Sequence, residues 1–475
     1  MNTRTEADSI GTLEIPADAY YGVQSLRGKN NFPITGHPIH RLMIISLAQI
    51  KKAAAIVNKN AGNLEPRIAD AIIAACEEIM DGKFHDQFIV DAIQGGAGTS
   101  ANMNANEVIA NRAIELLGGV KGDYTVVHPN DHVNMAQSTN DVYPTAGKLA
   151  TLRLLSDDLY QMNRLCNALE MKAEEFDDVV KMGRTQMQDA VPIRLGQTFR
   201  AYASAMRRDI QRLHKATKNM CWVNMGATAI GTAINVPADY LDNIVQELRR
   251  ETGLPLNQNE NLIDGTQNLD SFVNVSGIIK AAAVNLSKMC SDLRLMSSGP
   301  RTGLAEINLP PKQNGSSIMP GKVNPVIPEV MNQVAFNIIG NDITITMAAE
   351  AGQLELNAFE PVLFYNLFES LETMAGGVRT LVDNCVLDIS ANREHCLELV
   401  EHSVGMITAL CPYIGYRRAA EIAEESLKSG VPIRKLVVRK GIVTADKVDE
   451  ILNPFKLTFT EKEREELAQY VETEE

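Results

Sequence analysis

The chain has 475 residues, a size at which one hydrophobic core usually divides into two or three domains. Aliphatic residues supply most of its 45% hydrophobic content and aromatic residues only 5%, a balance that favours helix packing over an all-β fold. The formal net charge of -14 argues against a nucleic-acid partner, because phosphate-binding surfaces depend on clustered Lys and Arg. An anionic substrate would therefore need a locally positive pocket.

The seven cysteines are scattered without a Cys-x-x-Cys spacing, which is typical of reduced thiols in the cytoplasm. Glu6 and Asp8 stand where a secretory signal would need a basic stretch and then an apolar run. No stretch of about 18 apolar residues occurs, so no membrane span is predicted. These features predict a cytoplasmic protein with no membrane partner.

The first part of the chain, 1–140, combines turn signals with short helical patterns and is predicted to form a mostly helical N-terminal domain. Its helical patterns lie near 41–58, 66–81 and 103–117.

Long helical patterns dominate residues 141–392, the predicted central domain. The clearest starts after Pro144, where apolar residues recur at spacings of three and four from Leu152 to Leu169. Stripes this long predict a helix bundle, because each apolar face needs a partner helix. The other patterns lie near 192–214, 270–297, 329–350 and 362–386.

The last residues, 393–475, are predicted to form a small C-terminal helical domain that ends in a solvated acidic segment at 461–475. The sequence thus predicts a mainly all-α fold of three domains around a central bundle of long helices.

The segment Gly315–Pro325 reads Gly-Ser-Ser-Ile-Met-Pro-Gly-Lys-Val-Asn-Pro. It is not a P-loop, because five residues separate Gly315 from Gly321 and no hydroxyl residue follows Lys322. It still suits an anion, since flexible glycines expose backbone N–H groups, a lysine adds charge and a long helix follows.

An ordinary turn before a helix is the alternative for this segment. Asn324 as helix cap and Pro325 as first helical residue would fit such a turn. The paired Ser316 and Ser317 beside Lys322 are not explained by it.

Three more clusters combine small hydroxyl residues with amides. Such groups bind carboxylate oxygens, but they also form turns and helix caps, and the residues alone leave both interpretations open. The clusters are 95–100, 137–141 and 183–189.

The histidines give no site. His37 and His40 have a ligand-like spacing but no third ligand nearby, and no Ser-His-Asp arrangement or zinc signature is present. The sequence therefore predicts neither a metal centre nor a nucleophilic triad.

With these motifs the chain resembles the fumarase/aspartase superfamily, whose signature Gly-Ser-Ser-x-Met-Pro-x-Lys-x-Asn-Pro matches 315–325 throughout. The similarity runs along nearly the whole chain, from 19–22 through 224–231 to 360–362. Segments 95–100 and 138–141 are similar to the aspartase form of the family rather than to the fumarase form.

Gln186 departs from many relatives, which have His after Gly-Arg-Thr, although some aspartases share the Gln. Gln does not titrate near neutrality but can hydrogen-bond an ammonium or a carboxylate. It suits loss of ammonia better than loss of hydroxide, which needs a proton donor.

The resemblance implies cofactor-free elimination of ammonia from L-aspartate to give fumarate and ammonium, through an aci-carboxylate intermediate. Fumarate hydration of the class II type is the alternative reaction, and a non-catalytic homologue is the alternative class. The resemblance also implies a homotetramer whose central helices form one bundle and whose active sites are shared between subunits. Activation by a divalent cation such as Mg²⁺ is left open.

The resemblance implies roles for particular residues. Ser316 would take the proton as an oxyanion, and Glu329 would support the loop or the following helix. The β-carboxylate would be held by Ser138, Thr139 and Ser317, the α-carboxylate by Thr185, Lys322 and Asn324, and the amino group by Thr99, Asn140 and Gln186.

Overall fold

The structure, a computed structural model, describes residues 2–460 together with Glu463. Helices make up 62% of the described residues and the strands are short, which confirms the prediction of a mainly α-helical fold. The acidic segment predicted at 461–475 lies, except for Glu463, outside the described residues. No helix among the described residues combines the length and the apolarity that a membrane crossing requires.

Five α-helices of the described residues have 25 residues or more, and they span Thr139–Glu175, Leu195–Met220, Asp270–Met296, Val326–Glu350 and Glu360–Asn384. In chain order the helices are α1 (Val23–Asn31), α2 (Arg41–Asn60), α3 (Pro66–Met80), α4 (Thr99–Leu116), α5 (Thr139–Glu175), α6 (Leu195–Met220), α7 (Ala238–Thr252), α8 (Leu262–Gln267), α9 (Asp270–Met296), α10 (Val326–Glu350), α11 (Glu360–Asn384), α12 (Arg393–His402), α13 (Cys411–Ile414), α14 (Tyr416–Ser429), α15 (Ile433–Arg439) and α16 (Ala445–Ile451).

The strands of the described residues pair two at a time, and all pairs are antiparallel except that of Trp222–Val223 with Asn257–Gln258. The pairs are β1 (Thr3–Ala7) with β2 (Thr12–Pro16), β3 (Val180–Thr185) with β4 (Gln188–Arg194), β5 (Trp222–Val223) with β6 (Asn257–Gln258), and β7 (Ile307–Asn308) with β8 (Ser390–Ala391).

The chain divides into two compact units, each built from segments that are distant in sequence. Unit 1 comprises residues 1–160, 209–283 and 334–375, and unit 2 comprises 161–208, 284–333 and 376–475. The three consecutive domains predicted from the sequence, 1–140, 141–392 and 393–475, remain a prediction.

Unit 1 packs the long helices α5, α9 and α11 around the ring of Phe364. Its centroid lies 5.4 Å from that of Tyr143 on α5 and 5.0 Å from that of Phe272 on α9. Gly147 permits this approach, since a Cβ there would lie 2.2 Å from a ring atom of Phe364.

Polar contacts add α10 to the same group of helices. The buried Asp342 of α10 accepts hydrogen bonds from Ser276 (2.7 Å) and Lys280 (2.5 Å) of α9. Asn341 donates to the Ser370 hydroxyl of α11 at 3.1 Å. Within unit 1 the predicted long helices therefore lie side by side.

Unit 2 contains a second apolar core, where the β3–β4 hairpin meets the C-terminal helices. Val180 and Met182 of β3 lie in one buried cluster with Val400, Leu410 and Val437. This core fixes the strands that carry the Thr185–Gln186 turn.

Two predicted helix starts are wrong. α5 begins at Thr139, ahead of Pro144. Proline lacks the N–H that would bond to the Asn140 carbonyl, and Asn224 supplies a side-chain donor to that oxygen at 3.0 Å, so the helix continues through the proline. Pro192 lies in β4, and α6 starts only at Leu195.

Candidate active site

The first turn of α5 is fixed by reciprocal hydrogen bonds. The Ser138 hydroxyl accepts from the Asn140 N–H at 3.2 Å, and the Asp141 carboxylate accepts from the Ser138 N–H at 2.9 Å. This is a capping-box arrangement with Asp in the place of Glu. It holds Ser138, Thr139 and Asn140 at the N-terminus of a 37-residue helix, where the helix dipole favours an anion.

Asp141 also ties this helix start to the 224–231 segment. Its second oxygen accepts from the N–H groups of Gly226 (3.2 Å) and Thr228 (3.1 Å). Complete burial raises the pKa of the Asp141 carboxyl to about 6, although the backbone donors and the Lys51 ammonium oppose that shift. Asn140 is joined to the same segment, because its side-chain amide donates to the Ala229 carbonyl at 2.7 Å.

Thr99 is the first residue of α4, after a tight turn in which Gly96, Ala97 and Gly98 all have positive φ. A Cβ on Gly98 would lie 2.4 Å from the ring of Tyr143 on α5, so glycine is needed for both backbone conformation and space. The Thr99 hydroxyl donates to the Gly96 carbonyl at 2.6 Å.

The helix starts of α4 and α5 meet through Asn102, whose amide donates to the Thr139 hydroxyl at 3.1 Å. Asn102 also contacts Asn134, which accepts from the fully buried Lys51 at 2.7 Å. Reasoning from the sequence missed this buried polar network. Its signal was a lysine and several asparagines inside otherwise apolar helices.

Thr185 and Gln186 lie at the tip of the β3–β4 hairpin in unit 2. Thr185 pairs with Gln188, and the two intervening residues, Gln186 and Met187, have φ of 52° and 65°. This is the backbone of a two-residue hairpin turn, which costs non-glycine residues conformational energy. Both predicted site residues are exposed and border a cavity of about 720 Å³.

The base of this hairpin carries a buried charge cluster. The carboxylate of Glu306, which is fully buried, lies 2.7 Å from Arg184 and 3.2 Å from Lys181. Two cations on β3 thus share one anion, and the pairing holds the strand that leads to the turn.

The 315–325 loop closes on itself. A Cβ on Gly315 would lie 1.5 Å from the Lys322 carbonyl oxygen, so no larger residue fits. The Ser316 hydroxyl accepts from the backbone N–H groups of Ile318 (3.2 Å) and Met319 (3.0 Å). Ser317 and Lys322 are exposed.

The loop leads into α10, which begins at Val326, one residue later than the predicted start at Pro325. The Pro325 carbonyl accepts from the Glu329 N–H at 3.2 Å, so Pro325 takes the cap position predicted for Asn324. Glu329 lies in the first turn, 3.6 Å from Arg294 of α9.

The predicted site residues fall into two groups. Thr99 and Ser138–Asn140 belong to unit 1 and meet at the starts of α4 and α5, whereas the turn and loop residues belong to unit 2. Among the described residues, no hydrogen bond or ion pair joins the 185–186 turn to the 315–325 loop. The assignment of these residues to parts of a substrate remains a prediction.

No group of three or more His, Cys, Asp or Glu residues in the described part of the chain could hold a metal ion. All seven cysteines are free thiols, and burial raises the pKa of six of them.

Comparison with known proteins identifies the family. Residues 11–340 match the family described as Lyase, and residues 406–459 match the one described as Fumarase C C-terminus. A solved structure titled fumarate lyase:delta crystallin from Brucella melitensis, bound to cobalt, superposes with a TM-score of 0.94 at 49% identity, covering 97% of this chain and 100% of that one. A class II fumarase from Schistosoma mansoni gives 0.94 at 35% identity, covering 96% and 99%. The chain belongs to the fumarase/aspartase superfamily of lyases.

Within this superfamily the chain is similar to curated aspartate ammonia-lyases. The protein of that name from Bacillus subtilis (strain 168) is 53% identical over 455 residues, covering 96% of both chains. The one from Escherichia coli (strain K12) is 47% identical over 455 residues, covering 95% of both.

The charge cluster below the hairpin gives a testable expectation for stability. Glu306→Gln leaves the buried Lys181 and the partly buried Arg184 without an anion, so we expect a loss of about 3 kcal/mol in the free energy of unfolding. Glu424→Gln, which removes the partner of the exposed Lys428, should change it by no more than about 0.5 kcal/mol. Denaturant unfolding of both variants measures the difference, and equal losses would show that the cluster does not hold the hairpin.

Proposed function

We propose that this protein is an aspartate ammonia-lyase, which eliminates ammonia from L-aspartate to give fumarate. The observation that carries the choice of substrate is the similarity to proteins of that name, 53% and 47% identical over nearly the whole chain. The chain is a carbon–nitrogen lyase. Fumarate hydration is the weaker alternative, because Gln186 cannot supply the proton that departing hydroxide needs.

Ser316 is the proposed base that takes the proton beside the β-carboxylate. A free serine is far too weak an acid to serve, but two backbone N–H groups already point at this oxygen, at 3.2 and 3.0 Å. The loop leads into the N-terminus of α10, whose partial positive charge would favour an anion held close to it. Donors placed in this way favour an oxyanion before substrate arrives.

The hydrogen-bond polarity of unit 1 supports the proposed division of substrate groups. Thr99 and Asn140, assigned to the amino group, each donate to a backbone carbonyl, so their oxygens are free to accept from an ammonium. Thr139, assigned to a carboxylate with Ser138 and Ser317, accepts from Asn102, so its own O–H is free to donate.

The remaining assignments concern unit 2. Lys322, Asn324 and Thr185 are proposed to hold the α-carboxylate, and Gln186 the amino group. Lys322 is exposed and supplies the local positive charge that an acidic protein must provide for an anionic substrate. Glu329 faces Arg294, a contact that fits support of the loop rather than proton transfer.

The exposed apolar face of α10 supports the proposal of a homotetramer with active sites shared between subunits. Phe336, Ile343 and Met347 are 61%, 61% and 65% exposed, and their spacings of seven and four place them on one stripe. Gly340 lies on the same stripe, and a Cβ added there would meet no atom within 4 Å, which leaves room for close approach of another helix. Further copies of this chain are the proposed cover, as in a bundle of long helices.

We further propose that the enzyme acts in the cytoplasm and needs no organic cofactor. Its free thiols are suited to a reducing compartment. Activation by a divalent cation is tested by measuring the activity with added Mg²⁺ and after removal of Mg²⁺ by a chelator.

The substrate prediction is tested by ultraviolet absorbance of fumarate. L-aspartate should yield fumarate and ammonia, and L-malate should react at least about a hundred-fold more slowly, because Gln186 offers no proton to departing hydroxide. Faster turnover of L-malate than of L-aspartate would contradict the proposal.

The role of Ser316 as the base is tested by comparing the effects of two substitutions on kcat and on KM. Ser316→Ala should lower kcat by roughly three or more orders of magnitude with an unchanged melting temperature, because it removes the base and little packing. Lys322→Ala should mainly raise KM. Near-normal turnover of the Ser316 variant would show that another residue takes the proton.

Shared sites predict complementation. Ser316→Ala and Thr139→Val proteins, each nearly inactive, should regain activity when they are unfolded together and refolded, because about a quarter of sites receive both intact segments. Mixing the folded proteins without unfolding is the control and should restore nothing. If refolded mixtures containing both chains stay at the parental level, each subunit builds its site alone.

A further inference from the structure

A buried polar network lies beneath the start of α5. Lys51 of α2 is fully buried, and its amine donates to Oδ1 of Asn134 at 2.7 Å. The same oxygen accepts from the side-chain amides of Asn102 and Asn106, both at 3.2 Å. Asn102 in turn donates to the Thr139 hydroxyl at 3.1 Å.

The Gln137 carbonyl and Lys51 together determine the direction of the hydrogen bonds in this network. A backbone carbonyl can only accept, so the group of Asn134 that faces Gln137, at 3.1 Å, is its amide nitrogen. The other end of Asn134, which faces the Lys51 amine, is then the carbonyl oxygen, and a charged lysine has only protons to offer it. The orientation of an asparagine amide, which is otherwise ambiguous, is fixed here by its neighbours.

The next step follows from the same chemistry. Since Oδ1 of Asn134 is an acceptor, the groups of Asn102 and Asn106 that face it must be their NH₂ groups. Asn102 then presents a donor to Thr139, and the hydroxyl oxygen of Thr139 accepts. A threonine hydroxyl has a single proton, which is left to point away from Asn102.

We infer that Asn102 is a positioning residue that keeps the Thr139 hydroxyl as a hydrogen-bond donor for a substrate carboxylate, and that the Gln137 carbonyl and Lys51 set this polarity through Asn134. The inference rests on the proposed function, in which Thr139 binds the β-carboxylate. That carboxylate gains negative charge as the proton leaves, so a donor aimed at it in advance stabilises both the bound state and the transition state.

The electrostatics of the network agree with this role. Burial lowers the pKa of Lys51 to about 7, and the nearby Asp141 carboxylate opposes that shift. The charged and titratable groups that act on Lys51 are Asp141 of α5 and Cys76 of α3. Burying a lysine costs free energy, and an apolar residue could fill the same space without that cost. Packing alone therefore does not account for Lys51.

The matched pair Asn102→Asp and Asn106→Asp tests the inference. Both side chains are almost completely buried and both donate to the same oxygen at 3.2 Å, but only Asn102 contacts Thr139. The carboxylate introduced by Asn102→Asp would offer an acceptor to Thr139, whose proton would then turn away from the substrate. We expect the dissociation constant of succinate, measured by calorimetry, to rise about thirty-fold in Asn102→Asp and less than about three-fold in Asn106→Asp.

A double-mutant cycle separates hydroxyl orientation from simple charge repulsion. In a Thr139→Val background, Asn102→Asp should add less than about a three-fold further loss of succinate binding, because no hydroxyl is left to orient. Asn102→Leu, which brings no charge, should weaken succinate binding about five-fold and serves if the Asp variant fails to fold. The Thr139→Ser variant should keep the full sensitivity to Asn102→Asp.

Equal losses in Asn102→Asp and Asn106→Asp, or a loss of about thirty-fold that persists in the Thr139→Val background, would overturn the inference. Succinate binding needs no turnover, so its outcome is independent of the lyase assay. Suppose that the variants show the expected pattern of succinate binding but the wild-type protein releases no fumarate from L-aspartate. That result would refute the proposed function without contradicting the positioning role of Asn102.

Discussion

The carboxylate of Asp141 is the constraint on which unit 1 depends most. Its oxygens accept N–H groups from Ser138, Gly226 and Thr228, so one buried side chain fixes the start of α5 and the course of the 224–231 segment together. Asn224 of that segment then satisfies the carbonyl that Pro144 leaves free, and Ala229 accepts from Asn140. Asp141 therefore connects the helix start to the segment that packs beside it.

The predicted site residues share a physical design, although they come from different units. Each lies at a helix start, in the 315–325 loop or in the tight turn of the β3–β4 hairpin. Gly98 allows α4 to begin against Tyr143, and Gly315 allows the loop before α10 to close on the Lys322 carbonyl. Such positions expose backbone N–H groups and helix dipoles, which suit the binding of a dicarboxylate in a protein of net negative charge.

The direction of the hydrogen bonds determines which of these side chains can donate to a substrate and which can accept from it. Thr99 and Asn140 direct their donors to backbone carbonyls, whereas Thr139 receives a donor from Asn102. In the proposed site, acceptors are thereby left for the ammonium and a donor for a carboxylate. A site that distinguishes the two ends of an amino acid needs this asymmetry, because hydroxyl and amide groups can otherwise serve either role.

The fold class, the family and the long helices could be predicted from the residues alone, because apolar periodicity and the 315–325 motif are local in the chain. The predicted starts of α5 and α6 were wrong. In α5, the donor that replaces the missing N–H of Pro144 is the side chain of Asn224, some eighty residues away. In α6, β4 occupies the first residues that were predicted as helix. Only the tertiary structure joined Lys51, Asn102, Asn134 and Thr139, which stand on separate segments. The direction of a hydrogen bond depends on which groups face each other in space, and the spacing of residues along the chain does not show which groups those are.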